Sequence, residues 1–63
     1  MRCYFMRNGH IAAVEYLTTP DDDGRIAEAR ELFRSKGASR GADGFEVWDG
    51  LRFLYRFPPG ETP

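Results

Sequence analysis

The sequence lacks most of the features that stabilise or localise a protein this small. One cysteine and one histidine among 63 residues exclude an intramolecular disulfide and leave too few ligands for a typical zinc site. No apolar run approaches the roughly 18 residues that span a bilayer, and residues 1–7 lack the apolar segment of a secretory signal. A single unpaired cysteine suits a reducing compartment, so we expect a cytoplasmic protein without membrane contact.

The chain also lacks an excess of charge of either sign. Nine Lys and Arg stand against ten Asp and Glu, which gives a formal net charge of −1. Strong phosphate binding depends on summed positive charge, so this balance argues against a strong nucleic-acid binder. A chain of this length buries only about 60% of its unfolded surface, so the core must gain from aromatic packing or from self-association.

Two apolar runs separated by Asn8-Gly9 predict an N-terminal β-hairpin. A type I′ turn needs positive φ at both central positions, which Asn and Gly adopt readily. A two-residue loop places Arg7 opposite His10. The same register gives three further pairs, which are Arg2 with Glu15, Cys3 with Val14 and Phe5 with Ala12.

A helix is predicted over residues 20–36. Thr19 can cap it, Pro20 suits its first position, and three aspartates follow at the positive end of the helix dipole. Gly37 is expected to end the helix, and the composition of residues 38–44 predicts a loop. The helical spacing gives one apolar stripe, formed by Ile26, Ala29, Leu32 and Phe33.

A second hairpin is predicted around Asp49-Gly50, with two possible registers. A two-residue turn pairs Trp48 with Leu51. A three-residue loop aligns Phe45 and Val47 with the aromatic residues of the last strand, and hydrophobic consistency favours it. It places Phe53, Tyr55 and Phe57 on one side and Glu46, Trp48, Arg52 and Arg56 on the other.

These elements predict an α+β fold in one domain, residues 1–57, followed by a Pro/Gly-rich tail at 58–63. The order is ββαββ: two hairpins form a four-stranded mixed sheet, and one helix packs on one face. The first and fourth strands are the most apolar, so we expect the order 2-1-4-3 with a parallel central pair. The helix is expected to cover Cys3, Phe5, Val14, Phe45, Val47, Phe53 and Tyr55. The uncovered face then carries Tyr4, Met6, Ile11, Ala13, Trp48 and Leu54, and an apolar face of that extent typically marks an interaction surface.

Two stretches of the chain are distinctive: residues 2–15, which contain Arg-Asn-Gly at the turn, and Phe45-Glu46-Val47-Trp48-Asp49. They resemble a group of small uncharacterised proteins from rhizobia and related alphaproteobacteria. The resemblance extends over nearly the whole chain and implies a bacterial ββαββ domain. No activity is established for that group, so it implies no functional residues.

Four features that could carry chemistry have simpler structural explanations. His10 flanks a turn without a neighbouring nucleophile or further ligands, and Cys3 falls on the face assigned to the helix. Asp21, Asp22 and Asp23 lack the alternating spacing of a calcium loop. The segment Gly41-Ala42-Asp43-Gly44 precedes a strand, whereas a phosphate loop opens a helix. We therefore expect no catalytic residue, metal or cofactor, and a protein that is not an enzyme.

The predicted function is a binding or self-associating module, with a homodimer formed through the uncovered face or an edge strand. Another protein is the other possible occupant. Tryptophan, tyrosine and arginine are common at protein interfaces, but they also stack and neutralise single-stranded nucleic acid. A weak nucleic-acid binder using Trp48, Arg52 and Arg56 is therefore the alternative, and arginine stems that merely cover apolar neighbours are a third reading. The candidate interface residues are Tyr4, Met6, Ile11, Trp48, Arg52, Leu54 and Arg56.

Overall fold

The computed structural model describes residues 1–59, which form one sheet with one helix across it. The strands are β1 (Arg2–Arg7), β2 (His10–Tyr16), β3 (Gly44–Asp49) and β4 (Arg52–Phe57), and the helix is α1 (Asp22–Lys36). A short 3₁₀ helix, Ala38–Arg40, lies in the segment predicted as a loop. The ββαββ order and the α+β class are confirmed. Most of the predicted tail, residues 60–63, lies outside the described residues.

The predicted strand order was wrong. The sheet runs β2-β1-β3-β4, and every neighbouring pair is antiparallel. The helix carries the chain from one end of the sheet to the other, so β3 starts beside the end of β1, where the Asp43 amide donates to the Met6 carbonyl at 2.8 Å. An antiparallel β1–β3 pair follows from that geometry. The apolar side chains of β4 had suggested a central strand, but its two arginines and the following Pro58-Pro59 suit an edge.

The first hairpin contains a bulge that changes its register. Asn8 and Gly9 have φ of 50° and 81°, and Arg7 lies opposite His10, as predicted. An extra residue, Ala12, then shifts the ladder by one. The observed pairs are Phe5 with Ala13, Tyr4 with Val14, Cys3 with Glu15 and Arg2 with Tyr16, so the three further predicted pairs were wrong.

This shift exchanges the faces of β2. Val14 moves to the sheet face away from α1, while Ala13 and Glu15 move to the helix side. Glu15 there forms ion pairs with Lys36 at 3.5 Å and with Arg40 at 2.9 Å. The bulge thus allows a carboxylate on the edge strand to anchor the end of the helix.

The second hairpin matches neither predicted register. Its loop is Gly50-Leu51, with Asp49 opposite Arg52 and Trp48 opposite Phe53. A bulge at Leu54 then brings Val47 opposite Tyr55 and Phe45 opposite Phe57. The side chains predicted to share the helix side do so except Phe53, which exchanges faces with Arg52 because the turn is shorter and the bulge follows it.

The helix begins two residues later than predicted. Asp21 is the N-cap, and its carboxylate accepts a hydrogen bond from the Gly24 amide at 2.6 Å, so Thr19 does not cap the helix. The end at Lys36 is confirmed. Gly37 is required there because a Cβ would lie 2.5 Å from the Phe33 carbonyl oxygen.

The core lies between α1 and the central strands. Its buried members are Cys3, Phe5, Leu17, Ala29, Phe45 and Val47. Phe33 of α1 reaches into this layer, with ring centroids 5.9 Å from Phe5, 5.2 Å from Phe45 and 5.6 Å from Phe57. Each such aromatic pair adds about 0.5–1.5 kcal/mol beyond the area that it buries.

Glu28 fastens the β2–α1 connection to the helix. Its carboxylate accepts hydrogen bonds from the amides of Thr18 and Thr19, both at 3.0 Å, and from their hydroxyls at 3.2 and 2.8 Å. Burial raises the pKa of Glu28, but the hydrogen bonds from Thr19 and Thr18 outweigh it and hold the pKa below its usual value. The ionised carboxylate is therefore the form that the fold favours.

We expect E28Q to destabilise the fold by about 1–2 kcal/mol at pH 7, because several charge-assisted hydrogen bonds at a partly exposed site weaken. A folded pKa below the unfolded value of about 4.3 gives stability that is complete above that pH and is lost as pH falls through the folded pKa. Urea unfolding at pH 7 and at pH 3 should show a smaller acid loss in E28Q than in the wild type. E31Q, on the same helix, is the control, and an unchanged acid loss in E28Q contradicts the prediction.

Candidate interaction surface

The sheet face opposite α1, called the open face below, is uncovered within residues 1–59. Side chains alternate along each strand, and residues paired across strands share a face. Since Cys3, Phe5 and Val47 are buried under the helix, their alternates face the other way. The open face consists of Arg2, Tyr4, Met6, Ile11, Val14, Tyr16, Glu46, Trp48, Phe53 and Arg56.

Five of the seven candidate interface residues lie on the open face: Tyr4, Met6, Ile11, Trp48 and Arg56. The other two do not, because the second hairpin has a shorter turn and a bulge. Arg52 lies on the helix side, where its guanidinium contacts both carboxylate oxygens of Asp22 at 3.2 Å. Leu54 occupies the bulge and packs half-buried against the core.

Sequence reasoning missed three exposed members of the open face. Tyr16 is 68% exposed, Phe53 46% and Val14 39%. Val14 and Phe53 follow from the two bulges, for which the sequence carries no marker. The position of Tyr16 could have been found from its alternation with Val14, had the register of β2 been known.

Aromatic rings and guanidinium groups alternate across this surface. The Arg2 guanidinium carbon lies 5.8 Å from the centre of the Tyr16 ring. Trp48 meets Phe53 edge to face at 5.3 Å, and Arg56 lies 6.0 Å from the centre of the same phenylalanine ring. Cation–π contacts of this kind lower the cost of keeping arginine against an apolar surface.

Glu46 compensates charge at the middle of the open face. Its carboxylate accepts a hydrogen bond from Trp48 Nε1 at 3.1 Å and pairs with Arg56 Nε at 3.3 Å. Only 19% of the Glu46 side chain is exposed. Of the two arginines on the face, only Arg2 lacks an ion pair with a carboxylate in the described part of the chain.

The two edges of the sheet are poor templates for a further strand. β2 is interrupted at Ala12 and β4 at Leu54 by single-residue bulges, which break the row of regularly spaced backbone groups. β4 is followed at once by Pro58 and Pro59, which cannot donate ladder hydrogen bonds. The open face is therefore a better candidate for an interface than either edge of the sheet.

Cys3 and His10 occupy separate places. Cys3 is fully buried, as predicted, and burial raises the pKa of its thiol to about 12, with the charges of Glu15 and Glu28 acting in the same direction. His10 is exposed at the first turn. Among residues 1–59, no three His, Cys, Asp or Glu side chains are grouped as a metal site would need.

Comparison with known protein families, with curated proteins and with solved structures finds no match to this chain. No helix of residues 1–59 is long and apolar enough to cross a membrane. The open face is therefore the feature of this chain from which a function can be inferred.

We expect Cys3 in the folded protein to react with a disulfide reagent at pH 8 at least about 100-fold more slowly than in the unfolded chain, because little thiolate forms and access is blocked. Absorbance during reaction with dithionitrobenzoate measures both rates. The C3S/S39C double variant, which carries its thiol at an exposed position, is the control. Equal native rates for the two thiols contradict the prediction.

Proposed function

We propose that this chain is a non-enzymatic binding module that forms a homodimer through its open face. The observation that carries the proposal is an uncovered sheet surface of four aromatic residues, three aliphatic or thioether residues and only three charged ones. Aromatic residues, methionine and arginine are enriched at protein interfaces, and lysine, which this face lacks, is depleted there.

The size of the chain supports self-association. A standard interface buries about 800 Å² per partner, which is roughly a fifth of the 4247 Å² accessible surface. A second copy would cover the apolar side chains that one helix leaves exposed, and two identical faces meeting about a two-fold axis form a closed contact.

Charge also supports a protein partner. Burying an ion pair is tolerable when its remaining hydrogen bonds are satisfied, and the Glu46 carboxylate already has both Arg56 and Trp48 as donors. No new partner is needed for these groups when water is excluded.

The same charges weigh against nucleic acid. The alternative function relied on Arg52 and Arg56 for phosphate contacts, but Asp22 and Asp49 engage the first and Glu46 the second. This leaves Arg2 as the one open-face cation without a carboxylate partner in the described residues. Because affinity for nucleic acid scales with the number of neutralised phosphates, one guanidinium supports little binding.

We expect W48A to weaken the dimer by about 2 kcal/mol, roughly thirtyfold in Kd, because tryptophan is a typical hot spot of protein interfaces. Sedimentation velocity over a concentration series measures the equilibrium, and far-ultraviolet circular dichroism checks the fold. L51A, which removes an exposed apolar side chain outside the open face, should leave the dimer unchanged. A wild-type species that stays at 7.2 kDa at high micromolar concentration contradicts the proposal.

E46Q separates the dimer from the nucleic-acid alternative. It retains an acceptor for Trp48 Nε1 but leaves Arg56 without a carboxylate, so we expect the dimer to weaken about tenfold or more. A nucleic-acid surface would instead bind more tightly, because it gains positive charge. Sedimentation measures the first effect, and Trp48 fluorescence during titration with oligothymidylate at low salt measures the second.

E31Q is the matched control, since it makes the same change in net charge on α1. Unchanged dimerisation together with tighter oligonucleotide binding in E46Q, but not in E31Q, overturns the homodimer in favour of nucleic acid.

A further inference from the structure

Asn8 carries the only side-chain amide in the chain, because the sequence contains no second asparagine and no glutamine. It precedes Gly9, and the two exposed residues form the turn between β1 and β2. Among residues 1–59, Asn8 is also the only residue other than glycine with positive φ, at 50°. Hydrolysis of a side-chain amide in this protein can therefore occur at this turn alone.

An asparagine followed by glycine can lose its amide through attack by its own backbone. Here the nitrogen of Gly9 attacks Cγ of Asn8, its proton passes through solvent to the departing amide, and ammonia leaves as a cyclic succinimide closes. Water then opens the ring at either carbonyl. One opening gives aspartate, and the other gives isoaspartate, whose main chain runs through the former side-chain carbon. Asparagine is among the thermolabile residues for this reason.

Gly9 offers little hindrance to this attack. No atom lies within 4 Å of the position that a Cβ would occupy there. Glycine also has the conformational freedom that brings a backbone nitrogen toward a neighbouring side chain. The turn ends a hairpin whose second strand, β2, lies at the edge of the sheet, so it can open locally while the core stays packed.

One side chain holds the turn closed. The amide of Asn8 donates a hydrogen bond to the Asp43 carboxylate at 3.0 Å, and the amide of Asp43 donates to the Met6 carbonyl at 2.8 Å. These two bonds fasten the turn to the start of β3. A hydrogen bond to a carboxylate is stronger than one between neutral groups. The negative charge beside the turn also opposes loss of the proton from the Gly9 nitrogen.

Aspartate followed by glycine can form the same ring, but those pairs are constrained in this fold. They are Asp23-Gly24, Asp43-Gly44 and Asp49-Gly50. Gly24 lies within α1, whose hydrogen bonds fix its backbone, and Gly44 is buried. The Asp49 carboxylate is engaged by Arg52 at 3.2 Å. An aspartate that is ionised at neutral pH is in any case a poor target for a nucleophile.

We propose that Asn8 is a site of spontaneous deamidation and that Asp43 slows the reaction in the folded protein. The product carries a new carboxylate close to that of Asp43. Its isoaspartate form also lengthens the main chain between Arg7 and His10, so the loop no longer matches the pairing of those two residues. Both changes loosen the first turn from β3. The reaction needs no second copy of the chain and is independent of the proposed dimer.

D43A tests the role of the carboxylate. Folded wild type and D43A are kept at pH 8, and mass spectrometry of the intact chain follows conversion, since Asn8 is the only amide that can hydrolyse. We expect D43A to deamidate about fivefold faster or more, as loss of a hydrogen bond to a charged group implies. D23A, the same substitution at an exposed aspartate of α1, is the control and should react at the wild-type rate.

The same reaction in urea separates an effect of the fold from an effect of the sequence. Unfolded wild type and unfolded D43A should deamidate at equal rates, and both faster than the folded wild type. D43S replaces D43A if circular dichroism shows that D43A does not fold. Equal rates for the two folded proteins overturn the role of Asp43, and a wild type that keeps its amide when folded but loses it in urea overturns Asn8 as a site in the native protein.

N8D reproduces the aspartate product and tests its consequence. We expect N8D to unfold at a lower urea concentration than N8G, which suits positive φ but carries no charge. The difference should shrink several-fold when Asp43 is also replaced by alanine, because the new carboxylate then lacks its like-charged neighbour. A difference of the same size in both backgrounds contradicts the repulsion from Asp43.

Discussion

The fold depends on one aromatic side chain, Phe33, that joins its two layers. A single 15-residue helix must hold four strands together, and it does so through Phe33, whose ring meets Phe5, Phe45 and Phe57 on three different strands. Phe33 also constrains the end of the helix, because a Cβ at position 37 would lie 2.5 Å from its carbonyl oxygen and 2.9 Å from its ring. Ala29 and Leu32 of the helix add apolar contacts to the same core. Polar contacts lie at the periphery, where Glu28 binds the β2–α1 connection and Glu15 of β2 pairs with Lys36 and Arg40.

Because the helix covers one face of the sheet, the two bulges determine which side chains lie on the open face. The Ala12 bulge sends Glu15 toward the helix and Val14 away from it, and the Leu54 bulge does the same for Arg52 and Phe53. In both strands a charged side chain goes to the helix side, where it finds partners of opposite charge, and an apolar one goes to the open face. The surface is thereby more apolar than simple alternation along the strands would make it.

Local signals in the sequence predicted the elements well. Asn8-Gly9 marked a turn with positive φ, Gly37 marked the end of the helix, and the position of Cys3 on the face assigned to the helix marked it as buried. Strand order was not predictable from local composition, because it depends on where the helix returns the chain and on how an edge is protected. The residues at the bulges, Ala12 and Leu54, are ordinary strand residues whose role depends on distant contacts of Glu15 and Arg52. Five of the seven candidate residues therefore lie on the open face as predicted. Arg52 and Leu54 do not, because the register of β4 differs by one residue from the predicted one.

The bulges also bear on how the sequence can vary. Each bulge contributes one extra residue to a strand. Deleting Ala12 would therefore restore plain alternation in β2, and the residues on one side of the deletion would exchange faces. Glu15 would lose Lys36 and Arg40, or the strand would slip against β1. A one-residue deletion of a small, exposed alanine thus changes more of this molecule than most substitutions in its core. The number of residues in each edge strand, more than their identity at the bulge, is therefore what this fold requires.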